Sequence, residues 1–146
     1  MHVSAHGRVP RARIDPILTA QQALAVFGLA MSYPLVPETL VLFLDSGRCG
    51  HELVSVSGTD DPFHVVDVAE TMALSACAST DIAGLVIATV RPGDGGGLLP
   101  GDDQLWFEAA DVVEEFGLTL IDWLVIGSGC AQSPRQVLGI PSRWTE

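Results

Sequence analysis

Arg91 opens the segment RPGDGGGLLPG, residues 91–101, which joins an apolar run at 85–89 to an amphipathic stretch that begins with Asp102 and Asp103. In α/β folds, a strand that opens through a loop into a helix N-terminus is where ligands and catalytic groups gather. A permanent guanidinium beside carboxylates can pair internally or hold an anion. The rest of the junction, Thr89 to Asp103, contains no histidine and no cysteine. It has the setting of an active site and residues that are poor at catalysis. Gly95–Gly97 beside a helix N-terminus could cradle phosphate, but there is no GxxxxGK[ST] motif and no lysine in the chain. Asp94, Asp102 and Asp103 would repel the anion, so the run reads as a flexible loop.

Two histidines outside the junction, His51 and His64, could form a metal site with Cys49 or Asp61. Their spacing matches no zinc motif, and they read as solvated or hydrogen-bonded histidines. Ser128-Gly129-Cys130 reads as a strand-end turn and not as part of a nucleophile–base pair. Cys49, Cys77 and Cys130 are odd in number and far apart, as expected of reduced cytosolic thiols.

The elements that must position these groups come from one domain's length of chain, 146 residues. Hydrophobic residues are 48% and charged residues 17%, a globular composition. The net charge of -11, with every basic residue an arginine, argues against phosphate-mediated nucleic-acid binding. The basic cluster Arg8, Arg11 and Arg13 reads as a solvated arm over residues 1–15, with a single domain over 16–146. Asp15, Gln21, Gln22, Tyr33 and Pro34 interrupt the apolar stretch at 17–36, so neither a membrane span nor a signal peptide is expected.

Thr19 with Gln22 three residues on predicts a helix start. Leu24, Val26, Phe27, Ala30 and Met31 carry that helix to about Ser32, before the prolines at 34 and 37. ETLVLFLD at 38–45 predicts a strand buried on both faces, and residues 51–57 an antiparallel partner nearer an edge. Residues 65–79 predict a helix with Val68, Met72, Ala73 and Cys77 inward. The run at 84–89 predicts a strand. A helix opened by Asp102 and Asp103 follows, with Leu105, Phe107, Ala109, Val112, Val113 and Phe116 on its apolar side and Gly117 closing it. Residues 118–126 predict a last buried strand, and Trp144 is expected to pack back onto the domain. The order gives an α/β sandwich, a mixed central β-sheet flanked by helices.

This order resembles the RadC-like branch of the JAB/JAMM (MPN-type) metalloproteases, whose sandwich is cytidine-deaminase-like. The resemblance covers residues 19–133. It rests on ETLVLFLD, on SGT at 57–59, on LVIAT feeding a Pro/Gly-rich loop, and on GLTLIDWLVIG, with Ser133 beyond. The family holds zinc with His-x-His, seven residues, Ser, two residues and Asp, and uses a first-strand Glu as general base. Laid on this chain, the histidines fall on Thr89 and Arg91, the Ser on Leu99, the Asp on Asp102 and the Glu on Glu38. The same register reaches Asp122, where the family's following His is Trp123.

The resemblance therefore implies a kept scaffold and a dismantled metal site. It implies a catalytically inactive bacterial, cytoplasmic protein that binds a protein or a small ligand. No cofactor, nucleic acid or membrane is expected. An Arg91–Asp102 ion pair, with Glu38 nearby, would replace the zinc. Two alternatives stay open: an active zinc-dependent (iso)peptidase or hydrolase with displaced ligands, and a small-anion binder using Arg91.

Overall fold

The computed structural model describes residues 9–93 and 97–144. Arg8, Asp94, Gly95 and Gly96, which enter the readings above, lie outside them. Chain order is α1 (Ala20–Gly28), β1 (Glu38–Leu44), β2 (Gly50–Ser57), α2 (His64–Ala76), β3 (Gly84–Val90), α3 (Asp102–Glu115), β4 (Thr119–Gly127), β5 (Cys130–Gln132) and α4 (Pro134–Leu138). The strands form one mixed sheet in the order β2-β1-β3-β4-β5, with β3 and β4 parallel and the other pairs antiparallel.

The continuous apolar strands sit centrally, as their composition requires. β1 and β3 are buried along their whole length, while β2 alternates and lies at the edge. Strand alternation divides the core in two. Val41, Phe43, Leu85, Ile87 and Trp123 pack with α2 and α3 on one face. Leu40, Leu42, Leu44, Val86 and Ala88 pack with Ala23 and Phe27 of α1 on the other. Trp144 joins the second core, as expected. Among the described residues, no helix is long and apolar enough to cross a membrane.

Helix α1 begins where the capping pattern placed it. Thr19 Oγ1 accepts the Gln22 N–H at 3.1 Å, and Gln22 Oε1 reaches back to the Leu18 N–H at 2.7 Å. Thr19→Ala is expected to cost about 1 kcal/mol, read as a lower urea midpoint at unchanged slope. The helix ends at Gly28 and not at Ser32. Leu29, Ala30 and Met31 continue only as hydrogen-bonded turns, and Ala30 is exposed. Similarly, α2 stops at Ala76, which leaves Cys77 exposed as a C-cap instead of in the core. On α3 the inward aromatic is Trp106, 2% exposed, whereas its neighbour Phe107 faces solvent at 52%.

Residues 11–15 belong to the fold. Arg11 brackets Asp15 through both its backbone and its guanidinium, and the Arg13 N–H donates to Gly50 O at 2.9 Å. β5 and α4 had no counterpart in the sequence reading. Ser133-Pro134, a cap residue followed by proline at the first helical position, is the signal that marks α4.

The β3–β4 pairing carries a bulge. Leu85 faces Leu120 and Val86 faces Asp122, so Ile121 is an extra residue. The bulge turns Trp123 onto the same face as Leu120. Gly84 permits the close approach beside it, since a Cβ there would lie 2.9 Å from Ile121 Cδ1 and 3.0 Å from Thr119 O.

Candidate functional site

The Arg91 N–H donates to Ile126 O at 2.8 Å, so the parallel ladder fixes Arg91 one residue past the end of β3. The chain returns through Gly101, whose φ of 93° glycine adopts without strain, and enters α3 at Asp102. Asp102 thus sits at the positive end of a helix, where a carboxylate is favoured.

The two side chains meet in a two-point pair. Arg91 Nη1 donates to Asp102 Oδ2 at 2.7 Å, and Nη2 to Oδ1 at 2.9 Å. The Leu99 N–H also donates to Oδ2, at 2.6 Å. Both side chains are largely withdrawn from water, at 13% and 4% exposure. Beneath the pair, Arg91 lies over the Trp123 ring at 5.9 Å, and the fully buried Trp123 indole donates to Thr89 Oγ1 at 2.9 Å. Asp102, Arg91, Trp123 and Thr89 therefore form one connected stack.

A cleft of about 300 Å³ opens beside it, between Thr59, Thr89, Arg91 and Leu99, with Pro37, Pro62 and Pro92 on its walls. Asp60 and Asp61 also line it. The Thr39 hydroxyl donates to Thr59 Oγ1 at 2.8 Å.

Glu38 is not part of this group. It pairs in register with Val90, whose side chain belongs to the α1-side core, while Thr39 pairs with Thr89. The Glu38 carboxylate accepts from the Ser32 N–H at 2.8 Å and from Ser55 Oγ at 3.1 Å. A one-residue difference in strand parity sends it to the opposite face of the sheet. The expectation of Glu38 near the pair is corrected accordingly.

The sequence matches no protein-family model and no curated protein.

The zinc implied by the resemblance does not fit these residues. A catalytic zinc takes three donors of the histidine, cysteine or carboxylate kind. Thr89 already accepts from an indole, Leu99 offers an apolar side chain, and Arg91 is a cation fixed on the one carboxylate present. Among the described residues, no group of three or more His, Cys, Asp and Glu could hold a metal ion. His51 and His64 do not come together as a replacement. His51 Nε2 lies 2.9 Å from Asp45 Oδ2, and His64 Nδ1 accepts the Asp61 N–H at 3.2 Å at the start of α2. All three cysteines are free thiols, and Cys77 and Cys130 are exposed. Burial, reinforced by Asp45 and Asp15, pushes the Cys49 thiol up.

Burial alone raises Asp45. Hydrogen bonds from the Cys49 N–H, His51 and the Gly47 N–H outweigh it and leave this carboxyl below its ordinary value. A carboxyl lowered by folding adds stability above the unfolded value of about 3.9, and loses it as pH falls through the folded value. Asp45→Asn is therefore expected to lower stability at neutral pH and to flatten the acid limb below about pH 4, measured by urea melts across pH.

A second buried network was not found from sequence. Asp122, fully buried, accepts from Ser133 Oγ (2.6 Å), the Trp123 N–H (2.9 Å) and Trp144 Nε1 (2.8 Å). Arg135 Nε stands 3.7 Å from the same carboxylate. Arg143, over the Trp106 ring at 5.5 Å, donates to Leu120 O and Glu114. These contacts tie α4 and the C-terminal residues to β4. Their partners are far apart in sequence, where Asp122–Trp123, Ser133 and Trp144 are each legible but nothing joins them.

Proposed function

We propose that this chain is a catalytically inactive protein of the RadC-like JAB type, a binding or protein-interaction module. The observation that carries the reading is that Arg91 and the Leu99 N–H engage both oxygens of Asp102. The guanidinium occupies the second ligand position of the family's pattern and is itself bound to the third. Glu38, at the family's general-base position, lies on the other face of the sheet. Without a metal to bring water's pKa near neutrality, and with the family's general-base position turned away from the cleft, hydrolysis by the family's route has no means.

The strand order, the hairpin and the strand–loop–helix junction agree with a JAB/MPN-like sandwich. A cleft of about 300 Å³ lies beside Thr59 and Thr89. The small-anion reading is less well supported. An incoming anion would compete with Asp102, which already holds both Nη nitrogens of Arg91 in a short charge-assisted pair.

The test is hydrolysis of peptide and isopeptide-linked substrates with zinc added. No turnover above buffer is expected. Zinc-dependent turnover that disappears in Asp102→Asn would establish the displaced-ligand hydrolase instead.

A further inference from the structure

β2 is the outermost strand of the sheet, and among the described residues its residues 52–57 pair only with β1. Such an edge presents backbone N–H and C=O groups on which another extended segment can add. Few protections blunt it: β2 contains no proline and no lysine, and Glu52 is its one acidic residue.

Beside this edge, β2 and α2 enclose a groove of about 400 Å³. Val56 forms one wall, Val68, Thr71 and Met72 the other, and His64 stands at the start of the helix. Thr59 lines both this groove and the Arg91 cleft, so the groove leads into the cleft. The charge along the path is acidic. Asp67 lines the groove and Asp60 the cleft, both exposed, while Arg91 is neutralised by Asp102. Asp61 lines the cleft too, with Oδ1 accepting the Phe63 N–H at 2.9 Å.

We propose that a basic, extended segment of a partner protein adds to the free edge of β2. It seats an apolar side chain between Val56 and Met72 and sets basic side chains against Asp67 and Asp60. Main-chain hydrogen bonds would supply the affinity, and the groove and the acidic residues the selectivity. The inference rests on the reading of the chain as a binding module and names the chemistry of its partner.

The probe is a fluorescein-labelled heptapeptide, Arg-Ser-Val-Ser-Val-Ser-Arg, titrated with the full chain by fluorescence anisotropy. Residues two apart on a strand share a face, so its arginines and valines point the same way in either strand direction. Saturable binding is expected. One of the two versions N-methylated at alternate residues should lose it, because it lacks the edge hydrogen bonds. Thr71→Arg, which fills the groove from an exposed helix position, should weaken binding by about tenfold or more. The Asp60→Asn, Asp67→Asn double variant should weaken it by about tenfold at low salt and reduce its salt dependence. Circular-dichroism melts check that both variants fold.

Absence of saturable binding would overturn the proposal, as would equal affinity for a peptide with glutamate in place of arginine. Binding seen only after residues 1–8 are removed would assign the groove to the chain's own N-terminus and overturn it equally. Zinc-dependent turnover in a protein that still binds the peptide would remove the inactive-enzyme reading and leave this edge site standing.

Discussion

Asp122→Ala is expected to cost about 3–5 kcal/mol and to yield a chain that is largely unfolded or insoluble. Three donors converge on this fully buried carboxylate: the Ser133 hydroxyl, the Trp123 N–H and the Trp144 indole. Truncation leaves all three without an acceptor in a site closed to water. It also leaves Arg135, 8% exposed and with no other acid in contact among the described residues, as an uncompensated buried charge. Because Trp144 and Ser133 lie on either side of α4, the C-terminal residues should detach from β4 together. Urea unfolding, with near-ultraviolet circular dichroism reporting the tryptophans, checks this. Asp122→Asn keeps an acceptor but loses the charge, and should fall between wild type and alanine. A melt of Asp122→Ala within about 1 kcal/mol of wild type would show that the network does not hold the C-terminus.

The second large effect is an asymmetry at the Arg91–Asp102 pair. Asp102→Ala leaves a mostly buried guanidinium with no carboxylate, and Arg91→Ala leaves a buried carboxylate with only the Leu99 N–H. Each is expected to cost about 3–5 kcal/mol. Replacing both with apolar residues of similar size, Arg91→Met with Asp102→Leu, should cost much less than the sum, since no charge is left buried. A double-mutant cycle in urea, built from Arg91→Met, Asp102→Leu and the two together, should therefore give a coupling of about 2 kcal/mol or more. Simple additivity, or an unchanged melt in Arg91→Ala, would show that the pair does not hold the junction together.

How much of this was legible in the sequence depended on whether the signal was local. ETLVLFLD reads as a central strand because burial on both faces leaves no polar alternation, and the strand is buried throughout. The Thr19–Gln22 cap and the Gly117 stop are equally local, and Gly117 has the positive φ of 79° its place after α3 requires. Arg91 and Asp102 stand eleven positions apart, on either side of the loop. The family pattern brought the two together, and the ladder to Ile126 and the turn at Gly101 account for the meeting.

What could not be read needed a register or a parity. Glu38 and Thr39 are adjacent, and only the pairing of Thr39 with Thr89 decides which of them shares a sheet face with Thr89 and Arg91. The Ile121 bulge is invisible in an unbroken apolar run, yet it sets the side on which Trp123 lies. Trp106 and Phe107 are adjacent aromatics on one helix, and a single position's rotation exchanges core for solvent. Cys77 looked inward because the apolar period continued past the point where α2 stops.

On the proposed reading, the Arg91–Asp102 pair stands where a JAB-type protein would hold its metal. Metal content of the purified chain tests it most directly, by elemental mass spectrometry without a histidine tag after dialysis against zinc. Zinc far below one equivalent per chain is expected, unchanged in His51→Ala and His64→Ala. Zinc near one equivalent would contradict it, and would show that the Arg91–Asp102 pair opens to admit a metal or that ligands gather elsewhere.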